Sequence, residues 1–405
     1  MIESLLSQET SLSKILNMGQ RVMFVFSIIA LPFWHMPFNL PITGGDLLHF
    51  CLYLGLLLCL IKQYLFPRIL TEFEKRGLLL ILSIFLWNSI CSILGVWDYP
   101  YYNMVDLMQM DKFKSLYDTL NLSKYGINDL TAIKFWLSVR TLRTSFFNII
   151  NTYAISVWIY LLYYDSEKEL KSDIKIGVIT LLVLMSLYSV FETGYLLGNI
   201  QCENLLRKIN PLYIKVADTH GWWPPLLWKR QLRSLFLEPS FLGISAAFLF
   251  PVICNSFFCK KSLINTVLMY SLILMIFLTK ARTATLLFIG ELGLLGILVI
   301  LFSDKKNLKV FFMIVLSTLV MLMFSLFFIS KFSTGKNDEK NQDIEISEYI
   351  EENVLSVSGN KRSNSARYGN VHATFLAGLK HPLFGVGKGM QTTYIKNNFN
   401  DNCEC

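Results

Sequence analysis

The chain has 405 residues, of which 53% are hydrophobic and only 16% charged, and it carries a formal net charge of +8. Soluble domains carry roughly 25% charged residues, so a soluble fold is excluded. The apolar residues run in long blocks without the ten-residue alternation of an outer-membrane barrel, which leaves helices as the spanning element. No basic run is interleaved with aromatics, so no nucleic acid is expected as a partner despite the positive charge.

Residues 1–20 are polar and mixed, and no cleavable leader is evident. A span needs about 20 apolar residues. Spans are predicted at roughly 22–40, 46–61, 77–97, 145–164, 174–199, 240–258, 262–279, 283–303 and 310–330. Pro32 and Pro37 should kink or shorten the outer end of the first. The expected fold is therefore an all-α, polytopic integral membrane bundle of about nine spans over residues 1–330. An outer segment, 331–405, follows.

Lysine and arginine in the short loops set the orientation. Lys62, Arg68, Lys75 and Arg76 fill one loop, Lys168 and Lys171 another, Lys260 and Lys261 a third, and Lys305, Lys306 and Lys309 a fourth. All four are cytoplasmic if the N-terminus is cytoplasmic. Loop 41–45 has neither residue type, as an outer loop should. Segments 98–144, 200–239 and 331–405 then lie outside. The first reads as partly helical and amphipathic, the second places Trp222, Trp223 and Trp228 at headgroup level, and 332–366 reads as a mobile loop. Cys202, Cys403 and Cys405 would face an oxidising compartment, with no spacing that fixes a pairing. No Cys/His cluster has zinc spacing, and no metal or cofactor is expected.

This topology puts eight of eleven arginines outside, which calls for an anionic ligand such as a phosphate or pyrophosphate. Arg140 and Arg143, spaced i,i+3, share a helical face at the outer end of the fourth span. Forked guanidiniums there can clamp a phosphate, and interfacial anchoring is the plainer alternative. In KRQLRSLFLEPS (229–240), Arg230 and Arg233 precede Glu238 and Pro239, which open the sixth span. A helix start accounts for Glu238 alone, not for the cations beside it. In LTKARTATLL (278–287), Lys280 and Arg282 occupy the one short outer loop that breaks the charge pattern. Glu291 lies about 13 Å further into that span at 1.5 Å per residue. An intramembrane carboxylate is either functional or a hydrogen-bonding partner for a neighbouring helix. In SARYGNVHATFLAGLKHPLFGVGKG (365–389), Arg367 and His372 open a short amphipathic helix, 367–379. Gly385, Gly387 and Gly389 follow in a turn that could form an anion nest.

FLEPSFLG (236–243), TKARTATLL (279–287), and Arg367 followed by ten residues and Gly378 resemble the O-antigen polymerase (Wzy) and O-antigen ligase superfamily, integral membrane glycosyltransferases. HPLFGVGKG (381–389) is similar to the segment that follows in that family. The resemblance covers roughly 230–390. It implies a lipid-linked oligosaccharide on undecaprenyl pyrophosphate as substrate, acted on at the periplasmic face of the bacterial inner membrane. A chain-length regulator is a further implied partner, with membrane lipid around the bundle. The implied reaction is polymerisation: glycan passes from its carrier to an incoming lipid-linked repeat unit. Arg282 and Arg367 would face the pyrophosphate, and Glu238 or His372 would take the acceptor proton. Arg140, Arg143, Arg230, Arg233, Lys280 and Gly378 would bind substrate. Family members continue into further spans, so this chain reads as shortened or as lacking closing helices, which weakens the ligase alternative. A flippase, the other alternative, would carry its charges near the midplane.

Overall fold

The computed structural model describes residues 2–98, 102, 111–119, 124, 126–215, 224–228, 230–259, 262–302, 305–332 and 362–382. Among these the architecture is helical, and the one β pairing is an isolated bridge between Leu40 and Gly44. The helices in chain order are α1 (Ile2–Ile29), α2 (Leu47–Leu65), α3 (Glu72–Trp97), α4 (Asp111–Thr119) and α5 (Asp129–Ile149). A π-helical turn, Ile150–Ala154, carries α5 into α6 (Ile155–Tyr163). Then come α7 (Glu167–Leu196), α8 (Ile200–Tyr213), α9 (Pro239–Cys259), α10 (Leu263–Leu278), α11 (Arg282–Phe302), α12 (Lys305–Phe332) and α13 (Arg362–Lys380).

Among the described residues seven stretches are long and apolar enough to cross a membrane: α2, α3, the continuous α5–α6, α7, α9, α11 and α12. The apolar α10 is shorter, at 16 residues. The polytopic bundle is as expected, with two corrections to its spans. The predicted first span, 22–40, is not one helix. It stops at Ile29, and the residues up to Asp46 turn back on themselves, with Met36 N donating to Gly45 O at 2.7 Å. Proline has no N–H to donate, so Pro32 and Pro37 cannot extend the ladder. The fourth span begins at Asp129, not 145, because Asn128 caps it by accepting from Leu130 N. Its polar first half is helical too.

Local signals explain the other starts. Thr71 and Glu74 form a reciprocal capping box on α3. Asp46, Asn199 and Ser262 cap α2, α8 and α10 through their side chains.

The chain divides into two compact units, residues 1–66 with 158–356, and 67–157 with 357–405. In the first, α9 is the most buried of the long apolar helices. Leu242, Ala246 and Ile253 of α9 pack with Leu272, Ile273 and Ile276 of α10, Phe288 of α11 and Leu181, Leu182 and Met185 of α7. Two further contacts fix α1. Trp158 is fully buried, donates to Gln20 Oε1 at 3.0 Å, and lies so close over Gly55 that no side chain fits there. Arg21 forks onto Asp173 at 2.7 and 2.9 Å, reaches Glu169 at 3.0 Å, and so ties α1 to α7. In the second unit α5 packs on α3, with Trp97 donating to Ser138 Oγ at 3.1 Å and Lys134 donating to Trp97 O at 3.0 Å.

Candidate functional site

At one end of the first unit four chain segments meet: the end of α7, the entry to α9, the end of α10 and the start of α11. Gly243 sets how closely they approach. A Cβ there would lie 2.5 Å from Ala284 Cβ and 3.2 Å from Thr279 Oγ1, so only glycine lets α9 pass against the α10–α11 connection.

The segment leading into α9 is folded inward. Leu232, Phe236 and Leu237 are buried, leaving Arg230 exposed at one end and half-buried Glu238 at the other. Leu232 N donates to Leu278 O at 3.1 Å, which pins the segment to the end of α10. Trp228 Nε1 donates to Leu237 O at 2.8 Å, so this tryptophan braces the loop. Glu238 O accepts from Leu242 N, and Pro239 is the first residue of α9.

Three non-glycine residues here adopt the left-handed region: Arg230 (φ 63°), Ser234 (φ 53°) and Lys280 (φ 54°). Lys280 follows the α10 cap, where glycine is the usual residue. A side chain there costs about 1–2 kcal/mol in backbone terms. Burial, with the charge of Arg230 nearby, pulls the Lys280 ammonium down to about 8 from its ordinary 10.5. Arg282 is next but one, in the first turn of α11. None of the ion pairs among the described residues involves Lys280 or Arg282. Lys280 and Arg282, at the positive end of α11 and in no ion pair among the described residues, are suited to receive an anion.

Arg233 has a different place from its expected one. It is fully buried, and its guanidinium donates to Pro225 O at 3.1 Å and Leu226 O at 2.7 Å. It holds the loop from inside and presents nothing to the surface. The carboxylate that organises this loop, Glu192 of α7, is 3% exposed and escaped the sequence reading. It accepts from Arg233 N at 3.2 Å and Ser234 N at 2.6 Å. The available signal was a lone acid inside a predicted span.

The remaining expected residues lie elsewhere. Glu291 of α11 lines a cavity of about 240 Å³ with Pro251, Cys254 and Asn255. Its Oε2 has no hydrogen-bond partner among the described residues. An unpaired buried carboxylate oxygen costs stability. Glu291→Leu is therefore expected to raise the thermal midpoint of the detergent-solubilised protein and leave its function in place. A fall in activity at unchanged abundance would instead give Glu291 a functional role.

Arg140 and Arg143 belong to the second unit and are exposed along α5, eleven and fourteen residues past its first residue. Their guanidiniums lie over Trp136 (5.5 Å) and Phe147 (5.9 Å), on opposite sides along the helix axis. The two share a face, and each guanidinium has its own aromatic neighbour. The predicted helix 367–379 is present and longer, as α13. His372 is exposed on it, and Gly378 has open space around it, so no close approach demands that glycine. The side chain of Arg367, Trp222, Trp223, the predicted mobile loop up to 361 and the Gly385–Gly389 turn lie outside the described residues. Among the described residues no group of three His, Cys, Asp or Glu side chains is placed to hold a metal ion.

Residues 266–402 match a family model described as O-antigen ligase. The match starts inside α10 and takes in the Lys280–Arg282 connection, α11, α12 and α13, and it agrees with the resemblance to the O-antigen polymerase and ligase superfamily. The match covers about a third of the chain and does not separate ligase from polymerase. No curated protein and no solved structure gives a match.

Proposed function

We propose that this chain is an O-antigen-type polysaccharide polymerase that moves glycan from undecaprenyl pyrophosphate to an incoming lipid-linked repeat unit. The observation that carries the reading is the Arg230, Lys280 and Arg282 group at the α9 and α11 entries. The loop lysines favour a cytoplasmic N-terminus, which puts this end of the bundle on the outer face of the inner membrane.

In the proposed step the acceptor hydroxyl oxygen bonds to the anomeric carbon of the donor sugar. The bond from that carbon to the pyrophosphate oxygen breaks, and the electron pair leaves with the pyrophosphate. Arg282 and Lys280, with Arg230 beside them, stabilise the charge that develops there. The hydroxyl proton passes to a carboxylate or an imidazole. Glu238, at the head of α9, and His372, on α13, have the right chemistry. The roles expected of Arg367 at a phosphate, and of Arg140 and Arg143 with the second substrate, rest on the sequence alone. A chain-length regulator is the proposed protein partner. Ligation of finished glycan to a lipid A core is the second reading, favoured by the description of the matching family model.

Complementation of a strain lacking the gene separates the two. The polymerase reading predicts that loss of the chain leaves a single capped repeat on surface polysaccharide gels, and that its return restores a ladder. A complete loss of capped core identifies a ligase, and an unchanged ladder removes both readings.

Lys280 supplies a pH signature. Its pKa lies below its ordinary value, so it carries its charge below about pH 8 and loses it as pH rises through that value. Pyrophosphate affinity should weaken between pH 7 and 9, and Lys280→Gly should flatten that dependence. The same substitution relieves the left-handed strain and the burial of a cation, so the variant should melt higher at pH 7 while binding more weakly. A variant that binds as tightly as the parent at pH 7 would remove Lys280 from the site.

A further inference from the structure

We infer that Glu192 is the positioning residue of this anion site, holding the 230–238 loop so that Arg230 stands beside Lys280. The inference rests on the anion reading above and names the group that builds the site. Glu192 lies in the last turn or so of α7, where the helix dipole is negative and a carboxylate is disfavoured. It is also buried, with no ion pair to a cation side chain among the described residues. A carboxylate in that place needs compensation, and it receives the nearby charge of Arg233 together with backbone donors of one loop. Arg233 N donates to both of its oxygens, at 3.3 and 3.2 Å, and Ser234 N donates at 2.6 Å. With Ser234 left-handed, successive N–H groups converge as an anion nest, and here the anion is internal.

The loop has no regular structure to hold it, and every other tie runs through the same locality. Ser234 Oγ donates to Met185 O at 2.9 Å, one helical turn or two before Glu192. Leu226 O accepts from both Arg233 and Asn210 Nδ2, at 2.7 Å each, and Tyr188 OH fixes Asn210 at 2.7 Å. α7 thus supplies Met185, Tyr188 and Glu192 along one face to clamp the loop. Leu278 then fixes Leu232 against the end of α10, two residues before Lys280. Release of the Glu192 contact frees the segment that carries Arg230, while α9 and α10 keep their own packing.

The test uses the full chain in detergent or nanodiscs, with inorganic pyrophosphate as the probe. Glu192→Gln keeps the side-chain volume but turns one acceptor into a donor that opposes an N–H. Glu192→Asp keeps the charge and withdraws it by one methylene, and it serves if the first variant does not accumulate. Two effects are expected per folded protein. Amide exchange at Arg233 and Ser234 speeds up at least tenfold with α9 and α10 unchanged, and the pyrophosphate Kd rises about tenfold. Pyrophosphate affinity that survives in both variants but is lost in Arg282→Ala overturns the role of Glu192 and keeps the anion site. A wild-type chain that does not bind pyrophosphate overturns the anion site, and the inference with it.

Discussion

Arg282→Ala is expected to lower the rate of glycan transfer by about 10²–10³, the usual cost of removing one preorganised donor from a developing oxyanion. The expectation follows from position. Arg282 sits in the first turn of α11, where the helix dipole is positive, and Gly243 brings α9 within van der Waals distance of that turn. No carboxylate among the described ion pairs neutralises it. On the proposed reading its charge serves a leaving phosphate. Arg282→Lys should recover part of the rate, because a point charge replaces the fork. The measurement is polymer formed per folded protein from a lipid-pyrophosphate-linked repeat unit. An alanine variant with more than half of the parent's rate would remove Arg282 from the chemistry.

Arg21→Ala is expected to cost about 2–3 kcal/mol of stability, below the roughly 3–5 kcal/mol of a fully buried ion pair because the Arg21 side chain is 32% exposed. Asp173 is 5% exposed and accepts three hydrogen bonds, two from Arg21 and one from Tyr163 OH at 2.7 Å. Without the guanidinium the carboxylate keeps only the tyrosine. The double variant Arg21→Met, Asp173→Leu should be milder than Arg21→Ala, because it removes both charges together. Thermal melting in detergent checks both forms. Equal losses in the single and double variants would show that the pair contributes packing and not charge compensation.

The spans were legible because twenty apolar residues in a row have one physical use, and α9, α10 and α11 fall within a residue or so of their expected limits. The first span was legible as one that Pro32 and Pro37 would shorten, but not how far, since hydropathy alone carries it to residue 40 and the helix ends at Ile29. Its apolar residues beyond Ile29 instead pack in turns, with Trp34 edge-on to Phe241 at 5.2 Å. The fourth span misled in the opposite direction, since an Asn cap and a polar helical half read as loop.

At the site, Lys280 and Arg282 were legible as a violation of the charge rule in a short connection. Arg233 was not distinguishable from Arg230 by sequence, because both are outward cations three residues apart. Only the left-handed Ser234 and the inward path of Leu232, Phe236 and Leu237 bury one and expose the other. The i,i+3 spacing of Arg140 and Arg143 fixed a shared face but not the side-chain directions, which their aromatic neighbours decide. Glu192 was hidden for a related reason. Its partners are backbone amides about forty residues away, and amides leave no mark in a sequence.

The central claim, that Arg282 and Lys280 receive the pyrophosphate of a lipid-linked glycan, has a direct test in binding. The purified full chain is titrated with inorganic pyrophosphate at pH 7, beside Arg282→Ala and Lys280→Gly forms of matched folding. Saturable binding by the parent, weakened at least tenfold in each variant and weakened for the parent at pH 9, is the predicted result. Binding that is absent in the parent, or equal in all three proteins, would contradict it.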